Sequence, residues 1–240
     1  MSKKKYLFDA TPDVREQLYQ LNRAAPDGEF TLGGVFLTHA HIGHYTGLMH
    51  FGHEASGSSN VPVYAMPRML EFLSTNGPWD QLVQYKNIRL MPLSDGSPVS
   101  FEKALRVTPL TVPHRDEYSE TVAYRIEGPN RTAVFIPDID KWERWDTDIR
   151  DVVRASDYAL IDAAFFADGE LPGRDMSIIP HPFVSESMAL LDDLTDEEKS
   201  RVIFIHINHT NPLLIDGSDA QLEVERRGFR FATEGMKLPL

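Results

Sequence analysis

The chain has no cysteine. That excludes disulfides and any thiolate metal site, so a metal held here would need His, Asp or Glu. Long apolar runs are missing too. No segment approaches the roughly 18 residues that suggest a membrane span. The start, "MSKKKYLFDA", is basic but lacks the apolar stretch of a secretory leader, so a cytoplasmic location is the expectation. Basic residues are the minority, 24 against 36 acidic, for a formal net charge of −12. Such a surface repels phosphate backbones and disfavours nucleic acid as a partner. The longest basic run, Lys3 to Lys5, reads as a terminal solubilising tail. There is no repeat, linker or low-complexity segment, and residues 1–240 read as a single domain with one substantial core.

What is there alternates short apolar runs with helical patterns. "KYLFDA", "GGVFLTH", "VPVYAM", "YALIDAAF" and "RVIFIHI" read as strands, and a helix begins at Pro12-Asp13 with Leu18 and Leu21 on one face. Further helices are expected in "YTGLMHFGHEA", "PRMLEFLS", "IRDVVRAS", "SESMALLDDL" and "DAQLEVERRG". "LRVTPLTVPH", "TVAYRIEG" and "TAVFIPD" read as antiparallel strands, the last two joined by a turn at Gly128-Pro129-Asn130. Ala167 to Pro182, rich in Gly, Pro and Asp, reads as a loop, and "FRFAT" as a short final strand. Hairpins combined with βα units predict layered α/β with mixed sheets.

The stretch "FLTHAHIGHYTGL" sets His39, His41 and His44 within six positions directly after an apolar run. His and carboxylate ligands favour strand ends, where a rigid strand aims the side chain and the following loop leaves room for substrate. Other strand ends here carry His114, Asp138, Asp162 and the pair His206 and His209. Each alone has an ordinary reading as a solvated ring, a cap or a turn residue. Together they predict a first-row metal site of imidazoles and carboxylate, with zinc the default and iron or manganese as alternatives. His206 and His209 point to opposite faces if one strand runs through both, and converge only if the chain turns after Ile207. Asn208, Thr210, Asn211 and Pro212 favour that turn.

Thr38 to His44, followed by Gly47-Leu48, resembles the HxHxDH signature of the metallo-β-lactamase superfamily, and His114, Asp138 and His206 recur in the order of that fold. "VPHRDEYSET", "IPDIDKWERW", "IPHPFVSES" and "HINHTNPLL" resemble more specifically its coenzyme PQQ biosynthesis protein B branch. The resemblance runs over nearly the whole chain. It implies an αββα sandwich of two mixed sheets flanked by helices. It also implies a first metal on His39, His41 and His114, with Asp138 bridging to a second metal on His44 and His206. Asp162 and His181 fall where phosphodiesterases of this fold place an acid–histidine pair that protonates a leaving group. Tyr45 is expected near the site, and Arg115 is a candidate for binding an anionic substrate group or for pairing with Asp116, Glu117 or Glu120. His50 and His53 read as surface residues, and Trp142 and Trp145 as core or rim.

Two departures matter. Gly43 stands where the family's aspartate ligates the second metal. Two divalent cations sharing one Asp and one hydroxide leave an uncompensated +2 charge, so one tight zinc with a weak or absent second is expected, with water, His209 or an acidic substrate as a substitute ligand. The chain also starts at a segment that relatives precede with further strands, so either the sequence is shortened or it is a compact variant with a depleted first sheet, whose unpaired edge would offer a route to a homodimer. The expected activity is metal-assisted hydrolysis of a small ester, lactone or phosphodiester, in which the cation lowers the pKa of its water. An iron-dependent oxygenase is the alternative that the PQQ branch implies, and a non-catalytic metal-binding relative is a third.

Overall fold

The structure, a computed structural model, describes residues 4–24, 31–101 and 105–240. Lys3, in the expected basic tail, lies outside them. The chain forms two compact units, Met1–Lys103 with Asp116–Val122, and Ala104–Arg115 with Ala123–Leu240.

The first unit carries β1 (Lys4–Phe8), α1 (Val14–Ala24), β2 (Thr31–Phe36), α2 (Ile42–Tyr45), β3 (Val61–Ala65), α3 (Pro67–Thr75), α4 (Trp79–Gln84), β4 (Ile88–Pro92) and β5 (Val99–Ser100). Its sheet has the order β1-β2-β3-β4, and all three pairings are parallel. Strands of this kind need apolar cover, and the core beneath them is built from Val35, Leu37, Leu48, Val63, Met69, Leu73 and Ile88. Each such side chain contributes roughly 1.5–3 kcal/mol on full burial. β1 is an edge strand, and Lys4 stands exposed on it, a charge that discourages pairing with another chain. Lys5 is no tail residue. It is buried in β1 and its ammonium donates to Asn22 Oδ1 on α1.

The helix expected over "YTGLMHFGHEA" is replaced by the four residues of α2 and a 3₁₀ turn over Thr46–Phe51. The reason is a close backbone approach. Ala10 N donates to His44 O (2.8 Å) and Gly47 N to Ala10 O (2.9 Å), which draws the loop after β1 onto the His-bearing segment. A Cβ at Gly47 would lie 2.1 Å from Thr11 O, whereas one at Gly43 would meet nothing within 4 Å.

The second unit holds β6 (Arg106–Thr111), β7 (Val122–Glu127), β8 (Thr132–Ile136), α5 (Ile149–Arg154), β9 (Tyr158–Asp162), α6 (Val184–Leu190), α7 (Asp196–Lys199), β10 (Val202–Ile205), α8 (Asp219–Arg226) and β11 (Arg230–Phe231). Its strands run in the order β11-β10-β9-β8-β7-β6. The β7–β8 pair is antiparallel, as the Gly128-Pro129-Asn130 turn predicts, while β8, β9, β10 and β11 pair in parallel. Val134, Ile136, Ile161, Val202 and Phe204 belong to its core, with Val184, Met188 and Val224 from α6 and α8. Side chains cap two of its helices: Asp148 accepts from Arg150 N at the start of α5, and Ser218 from Gln221 N at α8. Among the described residues no helix is long and apolar enough to cross a membrane.

The two glycines of the His-rich segment should separate cleanly in urea unfolding. Gly47→Ala forces its methyl into backbone and should cost about 1–3 kcal/mol. Gly43→Ala has open space and should leave stability unchanged or raise it by up to about 1 kcal/mol, through better helix propensity.

Candidate metal centre

In the first unit the site starts from a buried carboxylate. Asp9 ends β1 in the left-handed region, φ 65°, with only 5% of its surface exposed. Its Oδ1 accepts from Thr38 N (2.8 Å), and its Oδ2 from His44 Nδ1 (2.7 Å). Thr38 Oγ1 lies 3.0 Å from both carboxylate oxygens and 2.9 Å from His39 Nδ1. A hydroxyl has one proton to give, and the carboxylate takes it. Thr38 therefore accepts from His39 Nδ1–H, and His44 donates its own Nδ1–H to Asp9. Both rings carry their lone pair on Nε2, the tautomer a metal ligand needs. The rings of His39, His41 and His44 gather closely, with centroids 4.4 Å (His39–His41) and 4.2 Å (His39–His44) apart.

Segment 116–122 supports this cluster. Ser119 Oγ accepts from Ala40 N (2.8 Å), and Glu117 lies 3.1 Å from His41 Nε2. Asp116 and Glu120 turn to Arg68, through its side chain and its backbone N–H respectively. Tyr45, expected near the site, follows His44 directly and is buried. Its ring is 7% exposed and packs on Phe72 and Trp79, 5.4 and 4.9 Å between centroids, because the short helix turns that face into the core. Burial raises its hydroxyl pKa, with Tyr118 adding to the effect.

In the second unit the parallel register does the positioning. Ile136 of β8 pairs with Ile161 of β9, and Asp162 with Ile205 of β10. Asp138, Asp162 and His206 therefore emerge at the same ends of three adjacent strands, where ligands of open α/β sheets bind. β10 stops at Ile205 because His206 adopts φ 58°, a conformation costing of order 1–3 kcal/mol for a non-glycine residue. The turn anticipated around Asn208 and Asn211 holds it. Asn208 N donates to Ala164 O (3.1 Å), and the buried Asn211 side chain to Ala163 O (2.8 Å). The parity question for His206 and His209 disappears with the strand. His209 is exposed, its Nδ1 lies 2.9 Å from Asn208 Oδ1, and it lines a cavity of about 420 Å³ with Phe165, His181 and His206.

Asp162 has no exposed surface. Its Oδ2 lies 2.7 Å from His181 Nδ1, and its Oδ1 3.5 Å from His206 Nδ1 and 2.9 Å from Ala164 N. His181 Nδ1 is also 3.1 Å from Asp138 Oδ1, and His206 Nε2 is 3.9 Å from Asp138 Oδ2. Burial alone would raise the Asp162 pKa, but the His181 charge and hydrogen bond, reinforced by His206, hold it below the usual carboxylate range. Burial likewise opposes a charged His181; Asp162, with Asp138 behind it, outweighs that and raises the imidazole pKa, while Arg115 works against it. His114 completes the unit. Its Nδ1 is 3.2 Å from Asp140 Oδ1 and its Nε2 3.2 Å from Asp138 Oδ1, and Arg144 braces Asp140 at 2.8 Å.

The loop that carries His181 is anchored rather than loose. Met176, Ile179 and Phe183 form a small core, and Phe183 N donates to Glu186 Oε2 (2.8 Å) at the start of α6. The sequence reading brought Asp162 and His181 together by resemblance, and they are indeed partners. It missed Asp9 and Asp140. Asp9 had a visible signal, an Asp closing the strand "KYLFDA", the same signature that singled out Asp138 and Asp162.

Asp9→Asn keeps the left-handed backbone, which Asn tolerates, but removes the charge that fixes His44 and Thr38. Zinc affinity should fall about 10–100-fold, as for other ligand-orienting carboxylates, while far-ultraviolet circular dichroism stays unchanged. Unaltered zinc affinity would remove Asp9 from this role.

The model of the beta-lactamase superfamily domain matches residues 4–207. Coenzyme PQQ synthesis protein B of Cupriavidus necator is 27% identical over 258 residues, covering 98% of this chain and 83% of that protein. Zinc-bound PqqB from Methylobacterium extorquens aligns in structure with a TM-score of 0.80 at 23% identity, over 100% of this chain and 84% of that one. A diphosphatase of the PhnP family aligns with a TM-score of 0.62 at 20% identity, over 98% of this chain and 79% of that one. The strand ends, the imidazoles and the carboxylates thus stand on a metallo-β-lactamase fold, and the chain belongs to the beta-lactamase superfamily, with coenzyme PQQ synthesis protein B among the proteins it is similar to.

Proposed function

We propose that the protein is a metal-dependent hydrolase of a small ester, lactone or phosphodiester. The observation that carries this reading is the 2.7 Å pairing of the fully buried Asp162 with His181 on the wall of the 420 Å³ cavity. The donors fit a metal by their chemistry: imidazoles with fixed tautomers, a buried carboxylate and no thiolate suit zinc, and admit iron or manganese. Following the family resemblance, His39, His41, His114 and Asp138 would hold one tight divalent cation, and His44 with His206 would offer a weaker second set that lacks a carboxylate at Gly43. When bound, such a cation supplies a Lewis acid and brings the pKa of its water toward neutrality.

The chain's own residues do the rest. His181 gives its Nδ1–H to Asp162 and so presents Nε2–H as the proton for a leaving group. Asp162, wholly buried, does not itself reach a substrate; it orients His181 and sustains its charge. His209 and Phe165 bound the space a substrate enters. Arg115 is exposed and close enough to His181 to oppose its protonation, a position from which it meets an anionic substrate group.

A second reading, an iron-dependent oxygenase, draws on the likeness to coenzyme PQQ synthesis protein B and on a donor set of histidines and carboxylates that also suits Fe(II). Elemental analysis of protein purified without added metal separates the two. Zinc with turnover of bis(p-nitrophenyl) phosphate or p-nitrophenyl acetate supports the hydrolase; iron with dioxygen uptake supports the oxygenase.

Removing one histidine at a time tests the ligand set. His114→Ala should lose the tight metal and lower kcat/KM by more than about 100-fold, beyond the range seen when only a ligand's hydrogen-bond partner is removed. His53→Ala, exposed in a turn of the first unit, should change neither. Equal metal content and rate in the two variants would show the ligand set to be wrong.

A further inference from the structure

Gly43 leaves the expected second metal without its carboxylate, but the second unit contains another donor set. The ligating atoms of Asp138, Asp162, His181 and His206 all lie within 4.8 Å of one another. His181 Nδ1 lies 3.1 Å from Asp138 Oδ1, and His206 turns a different nitrogen to each aspartate, Nδ1 3.5 Å from Asp162 Oδ1 and Nε2 3.9 Å from Asp138 Oδ2. Ligands about 2.0–2.1 Å from a tetrahedral zinc are about 3.4 Å apart. A fourth separation, 2.7 Å between His181 Nδ1 and Asp162 Oδ2, is a hydrogen bond whose proton a cation would replace.

Charge favours the same place. Asp162 adds a carboxylate that the first site, which shares Asp138, does not use, and so offsets part of a second cation's charge in a buried setting, where an uncompensated charge is costly. The set is also rigid. Asp138 and Asp162 are 3% and 0% exposed, His206 is fixed by its left-handed backbone, and His181 by an anchored loop. None of the four needs position 43 or His44.

We propose that Asp138, Asp162, His181 and His206 form a second, weaker divalent-cation site, and that filling it withdraws His181 from proton transfer, so that excess metal inhibits. The inhibitory consequence rests on the hydrolase reading above; the binding does not. The site explains how a chain with glycine at position 43 retains a carboxylate-rich second ion site, and it makes Asp162 and His181 serve two exclusive states, proton donor and metal ligand.

Zinc titration by equilibrium dialysis with elemental analysis, run beside bis(p-nitrophenyl) phosphate turnover, tests it. Wild type should bind a tight first equivalent that raises the rate and a weaker second that lowers it. Asp162→Asn and His181→Asn should lose the second equivalent and keep the first, which doubles as evidence that each variant is folded. His44→Ala should keep both. A wild type that stops at one equivalent, or a second equivalent that vanishes in His44→Ala and survives in both His181→Asn and Asp162→Asn, would overturn the site. The first equivalent and the basal rate report the hydrolase reading separately: a wild type that binds two ions but turns over no ester loses that reading and leaves the cation site standing.

Discussion

Asp162 has no exposed surface, so its charge must be answered from inside the protein. Much of the second unit is arranged to do that. The parallel register of β8, β9 and β10 brings Asp138 and His206 alongside, Ala164 N folds back onto Oδ1, and an anchored loop delivers His181 to Oδ2. A buried carboxylate beside His181 favours the protonated form of that imidazole. The stabilising requirement and the chemical one are therefore the same requirement.

The first unit solves the same problem with Asp9. Its carboxylate is met by one backbone N–H, one hydroxyl and one imidazole, and in being satisfied it sets the tautomers of His39 and His44. Gly47 is part of that solution, since only a residue without Cβ lets the loop after β1 approach closely enough. Gly43 is different in kind. Space is open around it, so its identity is not forced by packing.

Charged side chains around His114 and His181 are paired across short loops. Asp116 and Glu117, both exposed, reach Arg68 and His41, and Arg115 opposes protonation of His181.

The sequence by itself determined the residue types at strand ends, the order of His39, His41, His44, His114, Asp138 and His206, the absence of thiolate ligands and the departure at Gly43. These were legible because strand patterns are local and a ligand motif is a matter of spacing. Only the tertiary structure decided which carboxylate answers which imidazole: Asp9 and His44 are 35 residues apart, His114 and Asp140 26, His41 and Glu117 76. Periodicity carries no information about such pairs. Tertiary packing also shortened the helix after the histidines, turned Tyr45 into the core and buried Lys5. The left-handed turn at His206 had a trace in the Asn-rich segment after it, but the break came one residue earlier than local turn chemistry suggests. It falls there because Asn208 and Asn211 hydrogen-bond to the neighbouring β9 segment, and a backbone conformation that costs energy locally is held by contacts formed only after folding.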